Sequence, residues 1–94
     1  MRKKTGSDLD QKLKGKREEI DYLDQKLLTL LNQRLRIALK IGKMKKGMKK
    51  KIYDPKREKE VLERLTKKNK GSLKEKDLKK IFRVIMEVCR RSQR

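Results

Sequence analysis

Five polar residues in this chain stand at positions where a helix calls for apolar ones. In "LLTLLNQRLRIALKIGK", residues 27–43, helical spacing puts Leu27, Leu31, Arg34, Ala38 and Ile41 on one side. Arg34 has no acid one turn away in either direction. Arginine keeps its charge at any biological pH, and a buried charge without a partner costs several kcal/mol. Either the stem snorkels to water or an anion comes to meet it. Arg17 shares the stripe through Leu13, Ile20 and Asp24, and Lys45 extends it one turn beyond Ile41. Glu58 falls one turn before the apolar Leu62, and Gln93 one turn after Cys89.

Together these side chains describe a cationic pocket with one acid and one amide donor. Arginine forks match carboxylates two bonds at a time, so two arginines and a lysine suit a small dicarboxylate. Glu58 would then receive a hydroxyl; its alternative is an ion pair with a neighbouring Lys or Arg. The chain has no histidine and a single cysteine. Cys89 thus has no imidazole to activate it, no metal-ligand cluster stands out, and no Gly-rich phosphate loop is present. A catalyst of this kind works by positioning and fixed charge, with no cofactor and no metal.

Positioning falls to helices. No stretch alternates like a strand, and the fold class is all-α with three helices, one very long. Ser7 or Asp8 can cap the first. Its apolar positions recur at Leu9, Leu13, Ile20, Leu23, Leu27, Leu30, Leu31, Ala38 and Ile41. Nothing breaks the pattern before Gly42, so the helix should reach about Met44, roughly 54 Å at 1.5 Å per residue. Two shorter helices cannot cover such a rod, and a second copy of the chain can, which points to an intertwined homodimer. "KMKKGMKKK", Lys43 to Lys51, reads as a mobile loop. In "IYDPKREKEVLERL", Asp54 is the N-cap and Pro55 the first helical residue of a second helix running to about Lys68. Val61, Leu62 and Leu65 should face inward. "SLKE", Ser72 to Glu75, matches a capping box. It opens a third helix with Leu78, Ile81, Phe82, Ile85 and Cys89 on its apolar stripe.

The chain of 94 residues is 48% charged and 33% hydrophobic, with a net charge of +19. That supports one small domain with a thin core, for which self-association is a common remedy. We place a flexible basic leader at residues 1–7 and a single domain at 8–94. A lone cysteine fits a reducing, cytoplasmic setting. No apolar run approaches the ~20 residues that span a membrane, and no signal-peptide core follows the basic start. The charge suits nucleic acid, but with only Tyr22, Tyr53 and Phe82 as aromatics the stacking platforms for single strands are missing. Nucleic acid is expected only through non-specific charge attraction.

Three segments, "REEIDYLDQKLLTLLNQRLRIALKIGKMK", "IYDPKREKEVLERL" and "IFRVIMEVCRRSQ", occur in an order that resembles the small all-helical chorismate mutases of the AroQ class. The resemblance spans about Leu13 to Gln93. It implies an intertwined homodimer of the chorismate mutase II type whose two active sites each draw on both chains. The implied activity is the conversion of chorismate to prephenate in phenylalanine and tyrosine biosynthesis, a unimolecular pericyclic rearrangement without cofactors. By motif, Arg17 would bind a substrate carboxylate across the subunit boundary, and Arg34 one within its own chain. Lys45 would contact a carboxylate and the ether oxygen, and Gln93 the ether oxygen from the other side. Asp54, Arg57 and Glu58 would line the site, Glu58 taking the ring hydroxyl. Position 89 is usually serine or another small residue in this family; Cys89 departs from it, and a thiol is a weaker donor. Three alternatives remain: an isochorismate pyruvate lyase on the same scaffold, a non-enzymatic basic helical nucleic-acid-binding protein, and a regulatory or inactive copy of the mutase scaffold.

Overall fold

The computed structural model describes residues 6–94; Met1–Thr5, the start of the expected leader, lie outside the described residues. These residues form three α-helices and no strand: α1 Gly6–Gly47, α2 Pro55–Lys68 and α3 Glu75–Ser92. None is long and apolar enough to cross a membrane. The chain divides into two units, Met1–Gln33 and Arg34–Arg94.

In the first unit every described residue belongs to α1 and none is buried. Ser7 and Asp8 lie inside the helix, so neither is its N-cap. The expected apolar stripe is present and uncovered, from Leu31 at 41% exposure to Leu30 at 59%.

The second unit has a thin core. Ala38, Leu62, Leu78, Met86 and Cys89 are buried, together with Gly42, and no side chain is sealed completely. Asp54 caps α2 as expected: its Oδ1 accepts from the Arg57 backbone N–H at 3.0 Å, with Pro55 in the first turn. The α2–α3 turn is built differently from the expected capping box. The N-cap of α3 is Lys74, which makes no side-chain capping bond. Asn69 organises the turn instead, donating from Nδ2 to the Leu73 carbonyl at 2.6 Å and accepting the Gly71 N–H at 3.1 Å. Along α3 the buried line runs Leu78, Met86, Cys89, with Phe82 and Ile85 half-buried. Ile81 is 48% exposed. At about 100° per residue it lies roughly 60° round from Leu78, on the flank opposite Phe82 and Met86.

The lysine-rich stretch is not a loose loop. Lys43 to Gly47 complete α1, and a Schellman motif closes it. The Lys50 N–H donates to the Lys45 carbonyl at 2.8 Å, and the Lys49 N–H to the Lys46 carbonyl at 3.1 Å. The residue in the left-handed region is Lys49, at φ 55°. Gly42 does different work. A Cβ on it would lie 2.9 Å from both Cβ and Cγ of Gln93, so its bare backbone lets the end of α3 settle against α1.

Candidate functional site

Within the second unit, α1, the segment before α2, α2 and α3 enclose a cleft of about 260 Å³. From α1 come Arg34, Ile37, Ala38, Ile41 and Lys45, whose spacing of three and four keeps them on one face. Ile52 and Asp54 come from the connection, Arg57, Glu58 and Val61 from α2. From α3 come Met86, Cys89, Arg90 and Gln93. Seven of the eight expected site residues therefore line one cleft. The eighth, Arg17, belongs to the first unit and is exposed. Arg90 and Met86 were not anticipated.

Arg34 is half-buried, and its partner is a thiol, not an acid: Nη1 donates to Cys89 Sγ at 3.1 Å. Lys45 is also half-buried and reaches back over the Schellman turn, Nζ donating to the Ile52 carbonyl at 3.0 Å. Neither cation has a carboxylate within ion-pair range among the described residues. Gln93 donates from Nε2 to the Ala38 carbonyl at 2.7 Å, which fixes the amide at the cleft wall. Arg57 is the most open of the set, its side chain 54% exposed and 3.9 Å from Glu60.

Glu58 does have a protein partner. Its Oε2 accepts from Arg90 Nη1 at 2.7 Å, and both side chains are about three-quarters covered. The guanidinium also lies 4.5 Å over the Tyr53 ring. The Glu58 hydrogen bond, opposed by burial, raises Arg90 above the ordinary arginine value. The stability this lends is fully present below that value and is lost only above it, outside physiological pH. The ion-pair alternative for Glu58 is thus realised, with a residue 32 positions away. The only sequence signal for Arg90 was that need for a partner, because Arg90 sits beside Cys89 and off the apolar stripe.

The cleft wall carries four cations, Arg34, Lys45, Arg57 and Arg90, against two acids, Asp54 and Glu58, a surplus of two positive charges. Such a surplus, with three of the four cations half-buried, suits a small dianion. Fixed donors at Lys45 and Gln93 can stabilise charge that develops on a bound oxygen.

The chain is similar to known proteins. The family model described as chorismate mutase type II matches residues 16–94. A bifunctional chorismate mutase/prephenate dehydratase of Aquifex aeolicus is 36% identical over 83 residues, 84% of this chain and 23% of that protein. The chain thus spans about a quarter of the length of such relatives. Among solved structures, a chorismate mutase from Thermus thermophilus aligns with a TM-score of 0.81 and 32% identity, covering 83% of this chain and 98% of that one. A conserved hypothetical protein from Pyrococcus furiosus aligns at 0.74 with 41% identity, covering 88% and 96%.

Proposed function

The chain belongs to the chorismate mutase type II family, and from that premise we propose that it converts chorismate to prephenate in the biosynthesis of phenylalanine and tyrosine. The observation that carries this reading is the pair of half-buried cations, Arg34 and Lys45, facing one cleft without a carboxylate partner. Chorismate supplies two carboxylates.

The step is unimolecular. The ether C–O bond breaks as a C–C bond forms between the enolpyruvyl side chain and the ring, and the electrons move round one cycle. No proton, metal or cofactor enters. The protein's task is to hold the side chain over the ring and to meet negative charge growing on the ether oxygen. In this proposal Arg34 takes a carboxylate, exchanging its thiol contact for a bidentate anion. Lys45 spends one N–H on the Ile52 carbonyl and has others for a carboxylate and the ether oxygen. Gln93 spends one on the Ala38 carbonyl and turns its second to the ether oxygen. Glu58 accepts the ring hydroxyl. Asp54 holds α2 in place as its cap, Arg57 edges the cleft, and Cys89 backs Arg34.

Arg17 completes the site from a second copy of the chain. Support comes from the described residues of the first unit, none of which is buried and whose leucines are presented to solvent. The proposed assembly is an intertwined homodimer, and the proposed setting is the cytoplasm.

The test is purified protein mixed with chorismate at low salt. We expect rapid loss of chorismate absorbance and a product that acid converts to phenylpyruvate. Absence of turnover by a folded protein would overturn the assignment. Isochorismate, assayed in parallel for pyruvate release, separates the lyase, whose pocket composition is nearly the same. DNA retention that falls steeply with salt would mark charge-driven nucleic-acid binding.

A further inference from the structure

A carboxylate in a cleft meant for a dianion is a problem. Glu58 repels the ligand that Arg34 and Lys45 attract, and a free Glu side chain has several rotamers in which to do so. Arg90 answers both difficulties. It comes from the last turn of α3, and Glu58 from the first turn of α2. Each charge thus sits at the helix end whose dipole favours it. Arg90 Nη1 takes Oε2 of Glu58 at 2.7 Å, and Oε1 accepts no protein hydrogen bond among the described residues. The guanidinium is itself held, with the Tyr53 ring 4.5 Å away on one face. Both members of the pair line the cleft.

We infer that Arg90 is a positioning residue, which fixes one oxygen of Glu58 so that the other is presented to the substrate's ring hydroxyl while its charge is offset. The inference rests on the proposed mutase reaction. Arg90 acts through Glu58 and does not itself hold a substrate carboxylate. Tyr53 restrains Arg90 in turn, tying the segment before α2 to the end of α3.

The experiment measures kcat and KM for the parent, Arg90→Met, Arg90→Lys, Glu58→Ala and the Arg90→Met/Glu58→Ala double variant. Two substrates are used: chorismate and an analogue lacking the ring hydroxyl. Arg90→Met should lower kcat/KM for chorismate by about a hundredfold, the scale of a misplaced catalytic contact. Arg90→Lys, which keeps a charged donor, should recover most of it. In the Glu58→Ala background the Arg90→Met change should cost less than about threefold, as two residues acting as one unit require. With the hydroxyl-free analogue the Arg90→Met penalty should shrink to a modest rise in KM, left by the uncompensated Glu58 charge, with kcat unchanged, a split that loss of helix packing alone would not produce. Losses that multiply, or an equal penalty with both substrates, would overturn the inference and leave the mutase assignment standing. A parent with no activity on chorismate would overturn both. Circular dichroism checks the fold; if Arg90→Met is unfolded, Arg90→Gln takes its place in the same cycle, judged by the same two criteria.

Discussion

A charge is cheap to place on a helix only if something answers it, and Arg34 and Lys45 are answered by a thiol and a carbonyl. Their remaining binding capacity is the site's main resource. Replacing either with alanine should lower kcat/KM by roughly 10²–10³, the effect of losing one fixed donor in comparable sites. The far-ultraviolet spectrum should not change; near-parental turnover in either variant would contradict its assigned role. Arg34, Lys45, Glu58 and Gln93 were legible as cleft residues in the sequence because Arg34 interrupts an apolar stripe and the others continue one by a turn, and a polar side chain there demands a reason. Arg90 interrupts nothing. It was legible only once tertiary structure brought it to Glu58, since a bond across 32 residues leaves no local pattern.

Elements carry the precision. Alanine usually improves a helix over glycine by about 1 kcal/mol, yet Gly42→Ala should destabilise, because the new methyl meets Gln93 at 2.9 Å. The end of α3 must shift, at a cost of about 1–3 kcal/mol, read as a lower urea midpoint, and turnover should fall as Gln93 leaves its place. Lys49→Gly should do the opposite. Lys49 occupies the left-handed region at φ 55°, and relief of that strain is worth about 1 kcal/mol; a melting temperature that does not rise would count against it. Helix number and the span of α2 followed directly from periodicity and from the Asp54–Pro55 start. The ends of α1 and α3's start did not. A Schellman closure depends on one backbone angle that lysine supplies here against its preference. The Ser72 cap lost to Asn69, whose two side-chain bonds arrange the turn before Ser72 can act. Ile81 failed as a core residue because a stripe read from sequence has width, and only the packed neighbour shows on which side it is covered.

For the molecule as a whole, the decisive surface is the leucine line of residues 9–31, none of it buried in the single chain. Light scattering should report a dimer, and Leu23→Glu with Leu27→Glu should shift it towards monomer. The proposed composite site gives a sharper prediction. Arg17→Ala and Arg34→Ala should each be nearly inactive, but exchanged by unfolding and refolding together they should recover about a quarter of parental activity. Half the dimers are then mixed, and each mixed dimer has one of its two sites intact, as an isologous pairing requires. No recovery would place Arg17 outside the site. The uncovered face has one more consequence. If catalysis needs a second copy, then each molecule's turnover is a property of concentration as well as of sequence. Diluting the protein below its dimer dissociation constant should lower the average turnover per chain, and saturating substrate should draw the halves back together, because a ligand that binds only the assembled site stabilises the assembly by mass action.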